Sequence, residues 1–253
     1  MNDLQKMAQE KSVLQWGGLA GVLGGIILIL VFVIVGVFAG MEPVGVMRYP
    51  DVKMTLKVAD SLYLVALILW VTHFLALYRA LRETSLTPAL FGSVLAILGL
   101  VVLAVDSLHH PWQARISDLY HAPGATPADQ ATLVLLWQAT QGIFSAFLAT
   151  GLLLLPIGVI ALGAAMLGAP AFGKGLGWMT VTIGVVGLVA TTVFHVDPPS
   201  SVIAAGLLGL IVFHLVLGWK VYRLSRGHDR EIVGALKTTQ EGRVDAPAPV
   251  QGT

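Results

Sequence analysis

Two short stretches concentrate the side chains of this chain that can do chemistry. One is Val105-Asp106-Ser107-Leu108-His109-His110-Pro111-Trp112, which closes an apolar run; the other is Phe194-His195-Val196-Asp197-Pro198-Pro199. On a continuous helix, residues four apart share a face, so Asp106 and His110 would stand one above the other, with His109 a step to the side. Joined by His195 and Asp197, by His121 from the following loop and by Asp60 of the second apolar segment, they would form an open site of imidazole and carboxylate groups. Such a set suits a transition metal ion: Zn, Cu, Fe or Mn. A metal-bound water would then be a nucleophile for hydrolysis, with Asp106 or Asp197 as base.

The same residues have a purely structural reading. Each His would sit at a helix C-terminus, where the dipole favours a cation and an imidazole covers free carbonyls, and the prolines that follow would end each helix. Capping accounts for the histidines. It does not account for the neighbouring Asp, which is unfavourable at a helix C-terminus unless paired.

A second pair lies deep in apolar sequence: His73 and His214. The two fall at matching depth on different segments, which is the arrangement of a six-coordinate b-type haem and makes them the cofactor-binding candidates of a redox subunit. Gly206, Gly209 and Gly218 would leave room beside His214, but "WVTHFLALY" around His73 is bulky. The alternative is an interhelical hydrogen bond from His73, for example to a carbonyl.

The elements that position these groups follow from composition. The chain has 253 residues, 56% hydrophobic and only 11% charged, with mean hydropathy +0.83; soluble domains carry roughly a quarter charged residues. An all-α, polytopic membrane bundle is therefore expected. A net charge of +1 and the lack of a basic, aromatic-interleaved run give no sign of nucleic-acid binding. The absence of cysteine removes disulfides, thiolate metal sites and cysteine nucleophiles. A helix needs about 20 apolar residues to cross the hydrocarbon, and six windows supply them: about 17–40, 58–80, 86–108, 132–156, 176–196 and 201–222. The first is too long for a signal-peptide core and is expected to be an uncleaved anchor.

Lys and Arg set orientation. Placing both termini inside puts 11 of the 15 basic residues on the cytoplasmic side and leaves Arg48, Lys53, Lys57 and Arg115 outside. That arrangement predicts a cell-membrane protein with cytoplasmic termini: a segment 1–16, a transmembrane domain 17–222, and a tail 223–253, basic and then disordered. The outer loop about 111–131 is long enough to fold back over the mouth and bring His121 to the cluster. The fourth span runs apolar as far as Met166, which exceeds one bilayer crossing, so Pro156 is expected to break it and send the remainder to the cytoplasmic interface.

Weaker patterns remain. An offset of 85 lays Gly92 on Gly177, Gly99 on Gly184 and His110 on His195, a faint parallel repeat. Gly173-Lys174-Gly175-Leu176-Gly177 lacks the preceding strand of a phosphate loop and reads as a turn. Gln138 and Gln141 beside Trp137 form a polar stripe, and Trp16, Trp112, Trp178 and Trp219 fall near span ends as an interfacial belt. Three function classes follow: a membrane protein whose outer mouth binds a metal ion or small polar ligand, as an accessory subunit or homo-oligomer; a metal-dependent membrane hydrolase; and a haem b redox subunit.

Overall fold

The computed structural model describes residues 3–40, 44–194 and 201–244, and among them the regular structure is entirely helical. The α-helices are α1 (Asp3–Ile34), which ends in a π-helical turn at Val35–Ala39, α2 (Tyr49–Leu81), α3 (Leu86–Asp106), α4 (His109–Tyr120), α5 (Pro127–Leu167), α6 (Gly173–Phe194) and α7 (Ser201–Val244). Six of the seven contribute segments long and apolar enough to cross a membrane, α4 being the exception as an extension of α3. They form one bundle of the multi-pass type. Each crossing helix packs antiparallel on its sequence neighbour, and α7 returns to α1, so the six close into a ring.

Glycines set the tightest seams. Lipid offers no hydrophobic drive for helices to associate, so close van der Waals packing must do it, and small residues permit that approach. A Cβ at Gly18 would lie 2.5 Å from the backbone nitrogen of Tyr222 on α7, and one at Gly92 would lie 2.8 Å from the Gly158 carbonyl on α5. The faint repeat acquires a physical meaning here. Gly92 and Gly99 of α3 press on one side of α5, while Gly177 and Gly184 of α6 press on the other, so matching glycines serve matching seams.

These contacts also fix the level at which each helix crosses. Gly99 faces Gly151 and Leu155, and Gly92 faces Gly158 and Leu162, so α3 is level with roughly residues 147–167 of α5. That stretch holds no charged or amide side chain. Relative to α3, the excess length of α5 therefore lies at the end bearing α4, not at the end bearing the termini. Residues 127–146 extend about 30 Å past the end of α3 at 1.5 Å per residue. Gln138 and Gln141 belong to this extension, which explains polar side chains in an apolar run.

Pro156 does not break α5, which is continuous over 41 residues. A proline at position i leaves the carbonyl at i−4 without its helical donor, here Leu152. The Thr191 hydroxyl of α6 donates to the Leu152 carbonyl at 2.8 Å and fills that vacancy. Helix α7 likewise continues to Val244, so the tail 223–253, expected to be basic and then disordered, is helical to that point.

Beyond the crossing level, α2, α4 and α5 build a cap with its own apolar core of Ala39, Val46, Tyr49, Val52, Leu56, Ile116 and Trp137. Exposed Trp16, Trp178 and Trp219 ring the terminal face and exposed Trp112 stands at the cap base, the positions of an interfacial belt.

Candidate functional site

The opening stretch folds differently from a continuous helix. α3 ends at Asp106, Ser107 and Leu108 form a turn, and His109 begins α4. Neither His109 nor His110 is therefore a C-terminal cap of α3, and a turn lies between Asp106 and His110. Helix α4 does not fold back either. It continues the line of α3 along α2 and α5, tied by Lys53 Nζ to Asp118 at 2.7 Å, by the Ser117 hydroxyl to the Val46 carbonyl at 3.3 Å, and by Gln130 Nε2 to the Tyr120 carbonyl at 3.3 Å. His121 ends α4 at its far tip, its Nδ1 2.9 Å from the Ser117 carbonyl. Eleven helical residues put it about 16 Å from His110.

The two adjacent imidazoles stack on one another, with ring centroids 5.1 Å apart, and their outer faces and edges meet different helices. His109 turns toward α5 and stacks on Phe144 with ring centroids 5.2 Å apart. His110 turns toward α2, where Nε2 lies 3.6 Å from Asp60 Oδ1 and Nδ1 lies 3.2 Å from Gln113 Oε1. Since the Gln113 oxygen only accepts, Nδ1 carries the proton of that bond, and Nε2 is the nitrogen that faces Asp60, just beyond hydrogen-bond distance. Tyr49 holds the imidazole's own backbone: its hydroxyl donates to the His110 carbonyl at 2.8 Å, and its ring packs edge-on against Trp137 at 5.3 Å.

Asp60 and His110 form part of the floor of a cleft of about 350 Å³ between α2 and the α3–α4 turn. Lys53, Lys57 and Ser61 line it from α2, and Leu64, Leu108 and Pro111 supply apolar wall. The cleft sits at the base of the cap, where charged residues give way to apolar sequence along α2. Asp60 Oδ2 is buried and has no hydrogen-bond partner. Lys53 is engaged by Asp118, whereas the Lys57 ammonium has no partner among the described residues. Both serines are occupied by back-bonds to helix carbonyls, Ser61 to Lys57 and Ser107 to Ala104, so neither hydroxyl is poised as a nucleophile.

The expected metal set is not assembled by these residues. Among the described residues no three His, Asp or Glu side chains converge enough to hold one ion; His110 has Asp60 beside it, His109 faces Phe144, and His121 is remote. His195 and Asp197 lie outside the described residues.

Comparison with known proteins adds no relative. No family model, curated protein or solved structure matches this chain.

The interior pair does meet. His73 and His214 are fully buried with ring centroids 5.2 Å apart, so the expectation of equal depth is correct. The surroundings do not fit a haem. Trp70 stacks on His214 at 3.8 Å, and Phe74 and Phe213 press edge-on against the same ring at 5.3 and 4.9 Å, filling the space a macrocycle would need. His73 Nδ1 instead donates to the Gly17 carbonyl of α1 at 3.0 Å, an interhelical bond. A Cβ at Gly21 would lie 2.6 Å from that ring, which is why α1 carries glycine there.

Sequence reasoning named His110 and Asp60 but missed Lys57, Tyr49, Gln113 and Ser61. The signal was available for α2: positions 53, 57, 60, 61 and 64 follow helical spacing and lie on the cleft.

Proposed function

We propose that the protein is a multi-pass membrane binding protein whose extracytoplasmic mouth takes a small polar ligand in the cleft between α2 and the α3–α4 turn. The observation that carries this reading is the Asp60–His110 pair, set with Lys57 in one cleft at the base of the cap. Groups of this kind near hydrocarbon are costly, and function is the default reason for them. The cleft presents one unengaged cation, one carboxylate oxygen without a donor and an imidazole beside that carboxylate. A ligand with both donors and acceptors satisfies all three. The basic residues of the terminal segments support the orientation, since the positive-inside rule places the cap outside.

Thermal unfolding of the purified full chain in detergent, against a panel of Zn²⁺, Cu²⁺, small amines, carboxylates and phosphates, tests the reading. A ligand at 100 times its Kd adds about 2.7 kcal/mol, or a rise of roughly 5–10 °C for a chain of this size. At least one polar class is expected to produce such a rise in the wild type and not in Asp60→Asn or His110→Ala. No rise with any class, or the same rise in both variants, overturns the reading; a rise confined to a metal ion reassigns the ligand to the metal class.

A further inference from the structure

The proposed polar-ligand reading leaves the ligand class open, and the cleft's own chemistry narrows it. Lys57 and Asp60 are three residues apart, hence neighbours on one helix face, yet they do not pair with each other: Asp60 is turned to His110. The result is two opposite charges that do not neutralise each other. Lys57 is exposed and open to an acceptor. Asp60 Oδ2, buried and unpartnered, needs a donor. Leaving such a group unsatisfied costs more than a typical hydrogen bond contributes. The remaining wall is apolar, and its side chains Leu64 and Leu108 are 37% and 52% exposed, facing outward at the level where the cap meets the crossing helices.

We infer that the cleft binds the head of a phospholipid bearing a primary amine, with the phosphate on Lys57 and the ammonium donating to Asp60. This inference rests on the cleft being the ligand site. A phosphate oxygen beside a lysine ammonium makes a charge-assisted bond, and an ammonium beside a carboxylate makes another. A zwitterionic head supplies both in one molecule without leaving net charge in the cleft. Its acyl chains leave past Leu64 and Leu108 into the bilayer, so the ligand enters sideways from the lipid and not from bulk water. The amine must carry N–H. A quaternary trimethylammonium head has the same charge but no proton to donate to Asp60 Oδ2, and an uncharged glycerol head has no cation.

Native mass spectrometry of the full-length protein in detergent, titrated separately with phosphatidylethanolamine, phosphatidylcholine, phosphatidylglycerol and free phosphoethanolamine, tests this. Phosphatidylethanolamine is expected to bind about tenfold more tightly than phosphatidylcholine, a difference of roughly one lost charged hydrogen bond. Asp60→Asn, Lys57→Ala and the milder Lys57→Gln are each expected to weaken it about tenfold while unfolding at the wild-type temperature without lipid. Equal binding of the ethanolamine and choline lipids, or ethanolamine-lipid binding unchanged in all three variants, overturns the inference. Free phosphoethanolamine binding as tightly as the lipid rejects the bilayer as source. If the lipids fail but a soluble polar compound stabilises the wild type and not Asp60→Asn, the lipid assignment falls and the binding site stands; if nothing binds, both fall.

Discussion

Replacing Thr191 by Val tests how α5 carries a proline through its buried centre. Pro156 cannot donate to Leu152, and the Thr191 hydroxyl takes that place at 2.8 Å, with the Gly187 carbonyl as its other acceptor at 2.9 Å. Thr191→Val keeps the shape and removes the donor. A carbonyl stranded away from water costs about 1–3 kcal/mol, and hydrocarbon offers no substitute. Taking about 2 kcal/mol, the unfolding midpoint in detergent falls by roughly 4–8 °C. Pro156→Ala restores the missing N–H, so in that background Thr191→Val is expected to cost less than about 0.5 kcal/mol. A double-mutant cycle reads the difference as a coupling of about 1–2 kcal/mol. Additive effects of the two substitutions would refute the reasoning, because they would mean that Leu152 does not depend on Thr191.

Three further outcomes follow from the packing. Gly18→Ala drives a Cβ into the α7 backbone, with a contact at 2.5 Å, and is expected to lower stability by about 1–3 kcal/mol through overpacking; Gly142→Ala, which meets nothing within 4 Å, gains up to about 1 kcal/mol of helix propensity, and thermal melts of the pair give opposite signs. Tyr49→Phe loses the bond to the His110 carbonyl and should cost about 1 kcal/mol, read as faster amide exchange in α4 with the crossing helices unaffected. His214→Phe removes two ring nitrogens that have no partner and keeps an aromatic ring against Trp70, so stability should change by less than about 1 kcal/mol, whereas His73→Phe loses the Gly17 bond and should cost about that much; the purified wild type is expected to show no Soret band.

The helical class, the six crossings and the equal depth of His73 and His214 were legible because apolar runs of that length have one solution in lipid. The level of α5 was not. Residues 132–166 contain no charge to mark a boundary, so a hydropathy window cannot choose between the two ends, and only the glycine contacts with α3 set the register. Helix α4 escaped for the opposite reason. Its sequence is polar overall, but Gln113, Ile116 and Ser117 are buried at helical spacing, a short stripe easily read as loop. Asp106 and His110 looked like partners through sequence spacing alone; the group beside the His110 imidazole is Asp60 on α2. That pairing is long-range, and no local pattern encodes it.

The most direct test of the mouth uses the lack of any native cysteine. Ser61 lines the cleft and is exposed, so Ser61→Cys gives a single thiol at the site. With the cap outside and the cleft open to ligand, a membrane-impermeant maleimide labels that thiol in intact cells, and a saturating amount of the compound that stabilises the purified protein slows labelling at least severalfold. Labelling only after permeabilisation, or at the same rate with and without that compound, would contradict a ligand-binding mouth on the outer face.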